Sequence, residues 1–422
     1  MKKALYSSLF LFLTIPSFSA IWRTYNTQNS GLPANEVVAV DFDTDGTIWV
    51  GTIYGGAAHF YPWLNLWVQY TDTNSVMPDK EVRAIAISNN GTKWFGTKKG
   101  LVKMVGDQFT LYDKTNSLLP SNRVNVIRKD ENGFIWVGTN GGLVKINGDT
   151  WQTYTPANSG LPDTVVTSIE YEANNLWVGT FNKGVVKFSN NTWEVFNFTT
   201  GSFPSNQIFS LGFMGGFPLA RVAEGVYKYE DNTWDTIPGF FGLPNFYNRR
   251  IVEDNNGSLW FDKFFITVDS IFTLDTLPDL DTLIYNNNYS LAEYKNSVFV
   301  NEFNFTNSGL QSNKIYSIFH ESGSNTLFVG TDGGNLTLYN PAGITLDAEA
   351  ISIGQEHFYP NPSNSVLSFS KELETLKIHD MQGQLVYEGN ENQLDVSSWS
   401  NGMYLVNWTL NGKVYQEKFL KN

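Results

Sequence analysis

The chain has no cysteine, only four histidines, and charged residues at just 16% of its 422 positions. Without cysteine there is no disulfide, no thiolate metal site, no nucleophilic thiol and no cysteine to carry a lipid. The histidines (His59, His320, His357 and His379) are scattered and form no spaced pair suited to a metal. Lys and Arg number 28 against 41 Asp and Glu, a net charge of −13. A chain so poor in cations lacks the clustered basic residues that phosphate backbones require, which excludes a nucleic-acid partner. There is no GxSxG elbow, no HExxH helix and no phosphate-binding glycine loop, so no catalytic residue is assigned and no cofactor is expected. No segment reaches the roughly 20 apolar residues of a membrane-spanning helix.

The longest apolar stretch lies at the N-terminus, Ala4 to Ile15, behind Lys2 and Lys3 and ahead of Ser17-Phe18-Ser19. That order is the signature of a secretory signal peptide over residues 1–19, cleaved after Ser19 or Ala20, which makes the mature chain an exported one.

What the sequence has in plenty is aromatic residues, 15%, with 13 Trp. Many fall in a recurring phrase: GTIWVGT (Gly46–Thr52), GTKWFGT (Gly91–Thr97), GFIWVGT (Gly133–Thr139), NNLWVGT (Asn174–Thr180) and NTLFVGT (Asn325–Thr331). Successive copies start about 40–45 residues apart, a period that marks one supersecondary unit per repeat. Each unit reads as four short strands. In the third these are Val124–Ile127, Phe134–Thr139, Gly142–Ile146 and Trp151–Tyr154, followed by the loop NSGLP at Asn158–Pro162. Four short strands with glycine turns predict a blade of an all-β propeller spanning residues 21–341. The array opens with a lone fourth strand, Trp22–Tyr25, and ends on third-strand material at Gly334–Tyr339. The first strand is therefore expected to complete the last blade and close the ring, removing an exposed edge. Second strands start at Trp49, Trp94, Trp136, Trp177, Trp260 and Phe328, with a degraded copy at Pro218. Between Trp260 and Phe328, Phe272–Leu274, Ser290–Tyr294 and Ser297–Glu302 resemble a partial unit. Seven blades with an insertion are favoured, and eight with one truncated also fit.

The repeat, roughly N-S-G-L-P-x-N-x-V, then D-x-x-G-x-I-W-V-G-T, then G-L, resembles the two-component regulator propeller family over residues 21–341. Such arrays often form the periplasmic ligand-sensing part of sensor kinases, including sensors of polysaccharide fragments, so the resemblance implies ligand binding. No kinase or DNA-binding domain accompanies it here. After a linker at 342–356 the pattern changes to YPNP (Tyr359–Pro362), IHDMQGQLV (Ile378–Val386), LDVS (Leu394–Ser397), NGMYLV (Asn401–Val406) and a basic KFLKN terminus. Alternating strands at turn-punctuated intervals predict a small β-sandwich over 357–422. These motifs resemble the type A C-terminal sorting domain of the type IX secretion system. That resemblance implies the secretion machinery as a partner, passage across the outer membrane to the surface or medium, a tail that is usually cleaved off, and a bacterium of the Bacteroidetes lineage.

Candidate site residues come from two departures. Asp41, Asp43, Asp45 and Gly46 carry the first oxygens of a calcium loop, yet position 12 is Thr52 rather than Glu; a plain hairpin turn is the favoured reading and calcium the weaker alternative. At the Gly-Thr of WVGT, blade six has Asp262-Lys263 and blade five has Arg221 at the Thr position. Arg250 stands where other first strands have Ala39, Ala84 and Val126, with Phe240, Phe241, Phe246 and Tyr247 nearby in sequence. Charges at scaffold positions, beside aromatics able to stack on a sugar ring, make Arg221, Phe246, Tyr247, Arg250, Asp262 and Lys263 the expected ligand-binding set. The competing reading is decay of these blades with compensating ion pairs, such as Asp262 with an arginine. The functional expectation is thus a secreted or surface protein that binds a glycan or protein. A polysaccharide-acting lyase or glycosidase, and a purely structural surface protein, are the alternatives.

Overall fold

The structure is a computed structural model that describes residues 21–421 except 63–64, 107, 239, 241–250, 274–280, 334, 344–357, 360–364, 370–372, 381–383 and 411–412. The signal-peptide expectation therefore lies outside the described residues. The described chain is all-β: seven four-stranded antiparallel sheets, then a smaller pair of sheets of three and four strands. Among the described residues no helix is long and apolar enough to cross a membrane.

Blade one shows the plan, with strands Val37–Phe42, Ile48–Thr52, Ala57–Tyr61 and Leu66–Tyr70 in sequence order across the sheet. Blades two to five, at 82–112, 124–154, 166–196 and 210–236, repeat it. The first strand of every blade packs against the first strand of the next, and that of blade seven (Ile315–Glu321) returns to blade one. In blade seven the fourth place is filled by Ile21–Tyr25, antiparallel to Asn335–Asn340. The Ser317 hydroxyl donates to the Val37 carbonyl at 2.8 Å across that junction. The ring is closed as the sequence implied, and the blade count is seven.

WVGT owes its constancy to this packing. Trp136 and Val137 are buried between blades, and the Trp136 indole N–H donates to Asp130 at 2.8 Å. The Gly lies where the next blade's innermost strand crosses: a Cβ on Gly138 would stand 2.6 Å from a Val166 methyl, and one on Gly51 2.6 Å from the Val82 carbonyl oxygen. The Thr hydroxyl closes the turn to the third strand, Thr139 donating to the Gly142 carbonyl at 2.9 Å and Thr180 to Gly184 at 2.7 Å. NSGLP is equally mechanical. Asn158 accepts from the Thr155 amide (2.7 Å) and donates to the Thr153 carbonyl (3.0 Å), while the Ser159 hydroxyl donates to the Thr155 carbonyl (2.7 Å). Leu161 then drops into the core between blades.

One expected element is corrected. The partial unit between Trp260 and Phe328 is no unit at all. Blade six has second and third strands of 15 residues each, Leu259–Thr273 and Asp281–Lys295, and Ser290–Tyr294 belongs to the latter. Val298–Phe303 is its fourth strand, and its first is cut to Val252–Glu253. Beyond the blade the two long strands pair only with each other, Lys263 opposite Ser290 and Thr273 opposite Asp281. A hairpin arm of some ten residues per strand, about 30 Å at 3.3 Å per residue, projects from this blade.

The tail is a sandwich whose core holds Leu367, Leu376, Ile378, Val406, Trp408 and Phe419.

The interblade packing predicts that Gly138→Ala destabilises the propeller by about 1–3 kcal/mol through overpacking. Gly106 sits at φ 54° with nothing within 4 Å of its missing Cβ, in a turn where other blades use Asn, so Gly106→Asn stays within about 0.5 kcal/mol of the parent. Denaturant unfolding of both variants measures the contrast.

Candidate functional site

Strand direction gives the ring two unlike faces. Connections from strand two to three and from strand four to the next strand one share the loop face, bonded to each other: the Gly56 amide donates to the Lys80 carbonyl (2.8 Å) and Gly184 to Asn206 (2.8 Å). Tight hairpins between strands one and two, and three and four, make the opposite turn face. The arm of blade six continues its second strand past the point where other blades turn, so it leaves from the loop face.

At the loop-face end of the innermost strands the ladder is interrupted at the same place in five blades. The register shifts between Val37 and Ala39, Val82 and Ala84, Val124 and Val126, Val166 and Ser168, and Ile315 and Ser317. Each β-bulge turns one extra residue out of the pairing: Val38, Arg83, Asn125, Thr167 and Tyr316. Because these strands form the inner circle, the bulged residues ring the mouth of the central channel. Asn125 donates to Asn140 (2.8 Å) and to the Val166 carbonyl of blade four (2.9 Å), and Thr167 to the Ile208 carbonyl of blade five (2.8 Å). The Tyr316 hydroxyl donates to Asp332 at 2.6 Å, and Lys314 also bonds that carboxylate at 2.8 Å. Arg83 pairs with the buried Glu81, which Lys98 approaches at 3.3 Å. Exposed aromatics stand on the surrounding loops, Tyr54 at 66% and Phe181 at 42% exposure. Sequence reading passed over this ring. Its signal was there: the bulged position is the variable residue between two apolar or small ones at the start of each first strand.

The residues singled out by sequence are distributed differently. Arg221 and Asp262 meet: the guanidinium donates to the carboxylate, and to the Asp262 carbonyl at 3.3 Å, with exposures of only 2% and 0%. The register corrects the sequence alignment of the blades: Arg221 pairs with Ser210 and Val226 and so holds the Gly position of blade five, with Val222 at the Thr position, while Asp262 holds the Gly position of blade six. The pair therefore crosses the blade interface where elsewhere a strand crosses a bare Gly. Lys263 bonds Glu302 at 2.7 Å and lies 4.8 Å from the centre of the Phe299 ring, at the root of the arm. Phe240 is a core residue, 4.3 Å from Phe261 between ring centres. Phe241, Phe246, Tyr247 and Arg250 lie outside the described residues.

The three carboxylates of the DFDTDG turn do not converge. Asp41 accepts from the Ile87 amide (2.8 Å), Asp43 pairs with Lys93 (2.8 Å), and Asp45 accepts from the Thr47 hydroxyl (2.6 Å). Burial pushes the Asp41 carboxyl up to about 6 despite two backbone N–H donors. No group of three or more metal-ligating side chains is assembled among the described residues. Of the propeller histidines, His59 stacks on Trp49 at 4.0 Å and burial holds it down at about 3, while His320 bonds Asn325 at 2.8 Å beside a turn-face hairpin. Neither stands at the channel mouth.

Two outcomes follow. Asp262→Gly strands a buried guanidinium and costs about 3–5 kcal/mol; Arg221→Gly combined with Asp262→Gly, which restores the Gly of the regular repeat in both blades, recovers most of it in denaturant unfolding. Asp41→Asn is more stable than the parent above pH 6, and the difference disappears below pH 4. The sign follows because a carboxyl raised in the fold favours the folded state only while protonated.

A family model of the secretion system C-terminal sorting domain matches residues 357–422, and one of the two component regulator propeller matches residues 31–54 and 118–141. No curated protein matches the chain. Among solved structures, the extracellular domain of a protein described as a hybrid two component system from B. thetaiotaomicron is similar at TM-score 0.59 and 20% identity, over 95% of this chain and 57% of that one. PorZ, a surface component of the type-IX secretion system of Porphyromonas gingivalis, is similar at TM-score 0.54 and 16% identity, over 93% and 60%. Virginiamycin B lyase from Staphylococcus aureus matches at TM-score 0.54 and 14% identity, over 76% and 99%. The chain thus spans less than two thirds of the length of the first two, and at these identities the likeness is one of fold. The chain is a secreted or cell-surface β-propeller of two component regulator propeller repeats, carrying the C-terminal sorting domain of the type IX secretion system.

Proposed function

We propose that the protein is a recognition propeller that binds a glycan on its loop face, around the channel mouth. The observation that carries this reading is the bulge ring. Five innermost strands break their own ladder at one level, which presents Asn125, Thr167, Tyr316 and Arg83 in a circle. Hydroxyl, amide and guanidinium groups bordered by exposed aromatic rings suit sugars, whose hydroxyls need donors and acceptors and whose C–H faces stack on rings. The arm of blade six leaves from the same face. Arg221 and Asp262 enter as the buried brace of that arm, and Lys263 as its root. Phe246, Tyr247 and Arg250 belong in sequence to the connection from blade five to blade six, and they stay within the proposed site. The resemblance to polysaccharide-sensing propellers supports the same ligand class, and a protein ligand at this face is the competing outcome.

A glycan array and a pull-down of surface material, both run with the mature chain, test the reading. Tyr54→Ala and Phe181→Ala are expected to weaken glycan binding at least tenfold with unchanged thermal unfolding, while the turn-face variant Phe217→Ala binds as the parent does. Capture of protein alone, or binding lost only in the turn-face variant, would rule it out.

A further inference from the structure

Blade one departs from its neighbours on its outer side, at the turn-face end. In blades two to six the hairpin from third to fourth strand has two residues, at 106–107, 148–149, 190–191, 231–232 and 296–297; in blade one it runs 62–65. The residues flanking it differ in kind. Tyr61 is paired with Leu66, whereas the same register holds Val105 with Gln108, Asn147 with Thr150, Ser189 with Thr192 and Glu230 with Thr233. Those pairs are open to solvent to varying degrees, and Val105 is 52% exposed. Tyr61 is 3% exposed and Leu66 8%. Both are covered by Leu405 of the sorting domain, with Val68 packed alongside.

Leu405 is no part of the sandwich core. Tyr404, Val406 and Trp408 of its strand point into that core, and strand alternation turns Leu405 to the opposite side of the sheet, next to His379. On an isolated tail it would be an exposed leucine; in this chain it is 4% exposed. Two departures, one on each domain, therefore fit each other: a buried pair of two apolar residues where blades two to five have a pair open to solvent with at least one polar member, and an apolar residue on the outer face of the tail sheet.

We propose that this end of blade one is a docking site for the chain's own sorting domain, with Leu405 as the plug. The contact is small, so it holds only because the tail is tethered, at an effective concentration of about millimolar for a short linker. Docking covers Leu405 on the outer face of the tail sheet, and undocking exposes it. The inference does not depend on the ligand proposed for the loop face.

A chain without cysteine allows a clean test, because an engineered thiol is the only one present. In the full mature chain, thiol labelling of Leu405→Cys should be at least tenfold slower than that of Leu385→Cys, which lies on the same sheet and is 47% exposed in the parent. Adding Tyr61→Asn and Leu66→Thr gives blade one the pair that blade three already has, and labelling at 405 should rise tenfold while that at 385 stays constant. Equal rates at 405 and 385 in the otherwise unchanged chain would overturn the proposal. So would slow labelling at 405 that ignores the two blade-one substitutions.

Discussion

Everything in the propeller depends on how closely one blade can approach the next at the inner circle. The crossing point is the Gly of WVGT, against which the following first strand lies with no room for a side chain. Backbone passing at that distance brings the Trp of one blade against the next blade and its Val against the preceding one, and seven blade-to-blade junctions, five of them at such a Gly, return the chain to its start. Closure is then made by a strand from the far end of the sequence, Ile21–Tyr25 against Asn335–Asn340. No blade is left with an open inner neighbour, and the sheet edges that would invite aggregation are short and peripheral.

Blades five and six solve the same contact differently. Asp262 fills the Gly position of blade six and Arg221 that of blade five, so a charged pair replaces a bare crossing. A buried pair of this kind adds little stability over apolar packing, but it is costly to break. It occurs where blade six lacks the Thr that closes the second-to-third turn, and there the strand runs on into the arm. Loss of the repeat's Gly-Thr and growth of the arm are thus one structural event. The broken repeat and the arm lie on the loop face, as do the bulged residues. The contact between blade one and the tail lies at the turn-face end, away from the arm and the bulged residues.

Much of this was legible in the residues. The repeat phrase, its spacing and the complementary ends predicted the closed ring, because period and turn chemistry are local properties. The sorting domain was legible from its ordered motifs. An ion pair of Asp262 with an arginine follows from the reading of blade decay, and the structure supplies Arg221 as the partner. The arm was not legible: fifteen-residue strands with mixed sequence look like fragments of shorter ones when the period is imposed on them. The channel-mouth ring was hidden because its members, Val38, Arg83, Asn125, Thr167 and Tyr316, share no chemistry, only a register.

The sequence by itself determined the blade, the closure and the secretory tail, since each is encoded in short segments whose turns and hydrophobic alternation act within a few residues. Tertiary structure alone decided which irregular residues meet, which variable residues face one channel, and that Leu405 covers Tyr61 and Leu66. Those are distances between segments tens to hundreds of residues apart, and they are set by the stacking of whole blades rather than by any local pattern.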